Sequence, residues 1–320
     1  MSGNTTMDIE GEHIIAGALS MGLAVIGLII NTIVIMALVR TPVFHNAFGF
    51  ISTLHLVSNS GELLIYVFWS APATLLQLNA SITNTFIGSR VAQIYLVFWY
   101  GSIYSQLQIA INRFVAIAFP IRYNEFFTGR ALTYFIGFFW IISALHALAF
   151  SSYDCALWFD STSFMWLFRP TTCGYVLVIY MISGHATCMC GVIFFVDTIT
   201  FCCIWKKTKM LRNNNGVKTD HEKLRLKKNI LFFAQGCCQS IVLLLAILSF
   251  LVVAKFASSR MQIFATSSLN WELAHISYGV VPAAFNKPIR DILFKPHLLF
   301  QKKQSTATNI TLSRTSHAPP

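Results

Sequence analysis

Seven stretches of this chain, approximately 14–39, 47–71, 91–112, 131–153, 174–205, 229–254 and 261–286, run for more than twenty residues almost without charge. Nothing else in the sequence restricts the fold as much. A segment must carry about 20 apolar residues to cross the ~30 Å hydrocarbon core of a bilayer as a helix. A soluble domain has no surface on which to place seven such segments. With 28 phenylalanines, 55% hydrophobic residues, 11% charged residues and a mean hydropathy of +0.62, there is too little polar surface to cover the rest. Each stretch is therefore expected to be helical, because a lone segment in lipid must satisfy its own backbone hydrogen bonds, and the alternating pattern of barrel strands is absent. The expected fold class is an all-α membrane protein, a bundle of seven transmembrane helices.

Seven crossings put the chain ends on opposite sides of the membrane. With the N-terminus outside, nineteen Lys and Arg residues fall on the inner side, among them Arg40, Arg113, Arg122, Arg130 and the cluster from Lys206 to Lys228. Only Arg90, Arg169, Lys255 and Arg260 fall outside. Basic residues accumulate on the cytoplasmic side of membrane proteins, so the expected orientation is N-out and C-in. The same asymmetry accounts for the net charge of +11 as attraction to anionic inner-leaflet lipid, and nucleic acid is not an expected partner. Residues 1–13 are polar and acidic and do not resemble a cleavable signal, so the first apolar run is expected to act as a signal anchor.

Three units follow: an extracellular segment 1–13, a seven-span membrane domain 14–296, and a cytoplasmic tail 297–320 whose end, "QKKQSTATNITLSRTSHAPP", lacks apolar periodicity and reads as disordered. Within "NKPIRDILFKPHLLF", Ile289, Leu293 and Phe294 are placed to share one face of a short interfacial helix that Pro296 limits to about two turns. Sequons stand at Asn4, Asn79 and Asn309, and only the first two are external in this topology. The long connections are the outer loop 154–173 and the inner loop 206–228.

Charged and polar residues inside a span cost about 2.5 to 3.5 kcal/mol at its centre by insertion scales, so they need partners. The acids within the windows are Glu62, Asp197 and Glu272. Glu272 and His275 stand three residues apart on the last span and can meet on one helix face. They would contact a ligand or, the reading preferred here, tie the seventh span to its neighbours. Glu62, Asn59 and Asn31 can satisfy one another in an interhelical network, with a bound ion the less favoured use of it. Of the eight cysteines, Cys155 and Cys173 face the oxidising side and bracket one loop. A bridge between them is expected, against free thiols or a link to Cys188 or Cys190. Cys202 and Cys203 read as packing residues rather than acylation sites. The nine histidines show no metal-ligand spacing, no cofactor motif is present, and no Gly-rich phosphate loop, His-Glu-x-x-His or Gly-x-Ser-x-Gly occurs, so neither a metal centre nor an enzyme is expected.

One further stretch, "IAINRFVAIAFPIRY" at 109–123, ends the third span on Asn112 and Arg113. It resembles the third-span end of nematode serpentine chemoreceptors of class X, the Srx family of G-protein-coupled receptors. The segments "IGLIINTIVIMALVRTPVFHNAFGFIS", "YDCALWFD", "TTCGY", "FFAQGCCQS", "WELAH" and "FNKPIR" resemble the same family in order along the chain, over roughly residues 20–295. The resemblance implies a receptor in the plasma membrane, by family habit of a sensory cilium, that detects a small odorant-like or pheromone-like molecule and activates a heterotrimeric G protein. A transporter or channel is the alternative class, but paired broken helices in two matching halves and a ring-forming acidic stripe are both missing. Residue by residue, Tyr95 and Trp99 in the outer third span, with Glu272 and His275, are the candidates for a ligand pocket. Asn112, Arg113 and Asp197 are the candidates for coupling. Because Asn112 cannot supply the carboxylate that many receptors of the superfamily carry there, the partner of Arg113 is sought in Asp197 or Glu125. The sequence departs from those receptors in having neither Cys-Trp-x-Pro in the sixth span nor Asn-Pro-x-x-Tyr in the seventh.

Overall fold

The computed structural model describes the backbone of residues 3–213, 220–295 and 297. The seven apolar windows form seven helical crossings. The first is α1 (Gly3–Arg40). The second runs from α2 (Ala47–Ile65) through a π-helical turn at Tyr66–Ser70 into α3 (Ala71–Leu75), and a single turn, α4 (Ala80–Thr83), follows it. The third crossing is α5 (Phe86–Ala118), succeeded by α6 (Tyr123–Phe126) in the connection to the fourth, α7 (Gly129–Leu148). Two strands, β1 (Leu157–Asp160) and β2 (Met165–Phe168), precede the fifth crossing, which comprises α8 (Thr172–Leu177), a π-helical stretch at Val178–Gly184 and α9 (His185–Asn213). The sixth is α10 (Asp220–Leu251). The seventh is broken at Ser267 into α11 (Arg260–Thr266) and α12 (Ser268–Phe285), and α13 (Lys287–Phe294) closes the described chain.

Hydropathy alone undercounts these crossings, for a physical reason. Among the described residues, four helices are long and apolar enough to span. The third crossing fails because it is the hub of the bundle: Ser102, Ser105, Gln106, Gln108, Asn112 and Arg113 are all buried along it. A helix surrounded by protein can carry polar residues that a lipid-facing helix cannot. Outward-facing apolar side chains are plentiful on its neighbours, as at Phe138, Ile141 and Leu145 on α7.

Several expected boundaries move. The first helix begins at Gly3, so most of the polar segment 1–13 continues the helix. The inner loop 206–228 shrinks, because α9 extends to Asn213 and α10 starts at Asp220. The outer loop 154–173 is not irregular but an antiparallel hairpin, with Leu157 opposite Phe168 and Asp160 opposite Met165. Its turn is built by Asp160, whose carboxylate accepts from the Thr162 and Ser163 amides at 3.3 and 3.0 Å, as short acidic side chains do in turns. Phe164 ends the turn in the left-handed region at φ 59°, uncommon for a bulky residue. It is held there by packing: its ring is buried, edge-on to His13 and Phe264, under the Arg260 guanidinium. On α13, Ile289 is buried with Ile292 and Leu293 packed beside it, whereas Phe294 is exposed and does not share their face. The cytoplasmic-tail assignment and Asn309 lie outside the described residues, as do the side chain of Asn4 and those of most of the inner loop.

Candidate functional site

The bundle carries a cavity at one end and a cleft at the other, separated along α5. At the hairpin end, a cavity of about 640 Å³, counting its open mouth, lies between the third, fifth, sixth and seventh crossings. Tyr95 and Trp99 form one wall and Trp271 and Phe250 another, while Met165, Trp166 and Phe168 of the hairpin roof it. Trp166 stacks on Tyr95 with ring centroids 4.9 Å apart, and Trp99 stands edge-on to Trp271 at 6.3 Å. The roof is tied down on several sides. Cys155 and Cys173 are joined by a disulfide with their Cα atoms 5.1 Å apart. Ser268 Oγ donates to the Phe164 carbonyl at 2.6 Å, and Arg260 Nε donates to that of Thr162 at 2.7 Å. Arg260 also sits 3.3 Å from the Glu12 carboxylate, linking hairpin, seventh helix and first helix. The pattern LWFD-STSF-MWLF, two aromatic quartets around a polar turn, is the sequence signal from which the hairpin could have been read.

Glu272 and His275 do not line this cavity, nor do they bond to each other. Glu272 accepts a hydrogen bond from Ser20 of the first helix. His275 Nδ1 lies 2.8 Å from Asn59 Oδ1; since Asn59 Nδ2 donates to the His55 carbonyl, Oδ1 is the acceptor and Nδ1 carries the proton. His275 Nε2 is 3.0 Å from Glu62 Oε2. Asn31 Nδ2 donates to the His275 carbonyl at 3.4 Å, and Ser102 Oγ to Asn59 Oδ1 at 3.3 Å. The network thus joins the first, second, third and seventh helices in the bundle interior. Gly279 makes room for it: a Cβ there would stand 2.1 Å from Asn31 Oδ1.

The other end is organised by Arg113, 14 residues or about 21 Å along α5 from Trp99. Its guanidinium is buried and donates through Nη2 to Asp197 Oδ1 at 3.0 Å. Nη1 reaches the carbonyls of Phe232 and Phe233 at 3.4 and 3.2 Å. Asp197 Oδ2 in turn accepts from Ser240 Oγ at 2.9 Å. One arginine therefore clasps the third, fifth and sixth helices together. Glu125, the other candidate partner, is exposed on α6. Asn112 turns aside and donates to the Tyr123 hydroxyl at 3.0 Å; burial pushes that phenol above its ordinary pKa and the bond from Asn112 opposes the shift, so it stays protonated near neutrality.

Sequence reasoning did not find what the clasp requires of the sixth helix. A Cβ on Gly236 would fall 1.0 Å from Arg113 Nη1, so the guanidinium occupies the space that any side chain at 236 would take. Beside it, Asn286 Nδ2 donates to Gln235 Oε1 at 2.7 Å and couples the seventh helix to the sixth. An open cleft of about 710 Å³ lined by Asn112, Arg113, Ile117, Tyr123 and Phe232 begins where the clasp ends.

The structure is thus a seven-crossing bundle with a roofed aromatic cavity at one end and a buried arginine clasp over a cleft at the other. The family described as serpentine type 7TM GPCR chemoreceptor Srx matches residues 22–286, and the chain belongs to that family. It is similar to serpentine receptor class X 45 of Caenorhabditis elegans, 24% identical over 90% of this chain and 84% of that one. Serpentine receptor class X-43 of the same organism is 26% identical over 60% of this chain and 59% of the relative. Melatonin receptor type 1C of Xenopus laevis is 24% identical over 90% of this chain and 70% of its own. The chain is thus a multi-pass membrane protein of a receptor family and not of an enzyme family.

Proposed function

We propose that the chain binds an external small molecule in the cavity beneath the hairpin and passes the event to a heterotrimeric G protein at the Arg113 end. The observation that carries this reading is the clasp itself. A charge pair with both partners buried is a poor source of stability, because desolvation offsets most of the attraction. It is well suited to a switch, because separating helices that share one guanidinium opens the cleft beside it and exposes donors to a partner. In this reading residues 1–13 lie outside, 14–296 form the receptor domain and 297–320 the cytoplasmic tail, with the protein in the plasma membrane, by family habit of a sensory cilium. Asn112, Arg113 and Asp197 serve coupling. Tyr95 and Trp99 contact the ligand, and Glu272 and His275 hold the seventh helix to its neighbours.

A ligand that moves such an equilibrium from 1:99 to 99:1 must prefer the open state by about 5.5 kcal/mol. Burial against aromatic walls at roughly 25 cal/mol per Å² contributes to that preference only through surface covered in the open state and not in the closed one. The test is nucleotide exchange: the chain reconstituted in liposomes with purified G protein should accelerate exchange when a panel of volatile and water-soluble small molecules is applied, without solute flux across the vesicle. Flux without exchange would replace the receptor reading with a transporter.

A further inference from the structure

The cavity wall has a one-sided chemistry. No charged side chain lines it, and two polar groups on its lining residues, Trp166 Nε1 and Tyr66 Oη, are buried without a close hydrogen bond, the Tyr95 and Ser268 hydroxyls standing nearest to Tyr66 Oη. Tyr66 is 1% exposed. Of the three serines in the same wall, Ser267 donates to the Ile263 carbonyl and Ser268 to that of Phe164, which leaves Ser183 as the third polar group of the wall. Tyr66 and Trp166 flank the same ring: Tyr66 stands edge-on to Tyr95 at 6.2 Å, and Trp166 stacks on its face. The backbone is shaped at this place as well. Tyr66 opens the π-helical turn of the second crossing, and Ile182 and Ser183, which also line the cavity, lie in the π-helical stretch of the fifth. Such turns recur at functional sites because they re-aim one side chain without ending the helix.

An indole N–H can only donate, and a buried donor left unpaired costs on the order of 1–3 kcal/mol. The indole therefore asks for an acceptor, and the Tyr66 hydroxyl, which can donate or accept, is able to turn its proton to the same ligand. A cationic ligand would need a carboxylate in the wall, but neither Glu62 nor Glu272 lines the cavity. An anionic ligand would need a cation, but Arg260 is held by Glu12 and the Thr162 carbonyl. We infer that the cavity takes a neutral, mainly apolar molecule bearing carbonyl oxygens, a ketone, ester or lactone, whose acceptors are met by Tyr66 Oη and Trp166 Nε1. This deepens the receptor reading, on which it rests for the cavity being the ligand site.

The test is binding to the purified full chain in lipid nanodiscs, read by thermal stabilisation and quenching of intrinsic tryptophan fluorescence, so that no G protein is needed. The probes are a ten-carbon ketone, ester and γ-lactone, set against decylamine, decanoate and decane. The oxygen-bearing neutral probes should bind most tightly. Tyr66→Phe and Trp166→Phe should each weaken them by about 3- to 10-fold, the loss of one hydrogen bond, and leave decane unchanged. The ligand-free Tyr66→Phe chain should melt at or above the wild-type temperature, because the change removes a desolvated hydroxyl and no packing; a merely structural tyrosine would lower it. Trp166→Phe, on the hairpin, keeps the inference testable if the helix variant fails to fold. Tighter binding of the amine or the carboxylate, no preference over decane, no binding by any probe, or undiminished binding in both variants would each overturn the inference. Failure of nucleotide exchange while these binding results hold would count against the receptor reading alone.

Discussion

Replacing Gly236 with alanine isolates the clasp without deleting either of its charges. The new Cβ would lie 1.0 Å from Arg113 Nη1 and 1.9 Å from its Cζ, whereas ordinary contact begins at 3.4 Å. The nitrogen must retreat by about 2.4 Å to go from 1.0 to 3.4 Å. Hydrogen bonds fail beyond about 3.5 Å, so the bonds to Phe232 and Phe233 at 3.4 and 3.2 Å are lost, and the 3.0 Å bond to Asp197 is lost or bent with them. Charge-assisted hydrogen bonds contribute about 1.5–3 kcal/mol each, but water and lipid phosphate recover part of this for a displaced arginine, leaving roughly 2 kcal/mol removed from the clasped state. The gain of about 1 kcal/mol in helix propensity on going from Gly to Ala applies to both states and cancels. A shift of 2 kcal/mol is about 30-fold, so an open state populated at ~1% rises to ~23%. Ligand-free nucleotide exchange by co-expressed G protein, compared at matched surface density, should therefore increase by up to about 20-fold. The double variant Gly236→Ala with Arg113→Ala should add nothing to Arg113→Ala alone. Basal exchange equal to wild type in Gly236→Ala would refute the argument that Arg113 restrains the bundle from its bed on the sixth helix.

Arg113→Lys should reach the surface normally yet lose most ligand-driven activation, because an ammonium cannot bond Asp197 and two carbonyls at once; equal signalling at matched expression would reduce Arg113 to a membrane anchor. Non-reducing peptide mapping of surface-expressed protein should recover Cys155 linked to Cys173, and serine at either position should destabilise the chain by about 3 kcal/mol and loosen the roof; recovery of both as alkylated free thiols would reject this. Glycosidase shifts on single Asn→Gln variants should place glycan at Asn4 or Asn79, and loss of a glycan only in Asn309→Gln would invert the proposed orientation.

The sequence by itself determined that this chain forms a helical membrane bundle, because apolar length and backbone hydrogen bonding in lipid leave no alternative, and those constraints act segment by segment. The family was legible too, since Asn112, Arg113 and the ordered matching segments lie at fixed positions along the chain. Acids inside the spans could be flagged as needing partners, but the partners are set by which helix faces meet. Glu272 and His275, neighbours on one helix, are drawn apart to Ser20 and to Asn59 and Glu62. Asp197 finds Arg113 only because Gly236 leaves a gap in a third helix, and a glycine's function in that gap has no one-dimensional signature. The cavity is likewise a tertiary product. Tyr66, Trp166, Phe250 and Trp271 come from four separate segments, and the hairpin covers the cavity because Cys173, Ser268 and Arg260 hold it there. Local pattern fixes what each segment must be, while a site built where segments converge depends on distances that only packing sets.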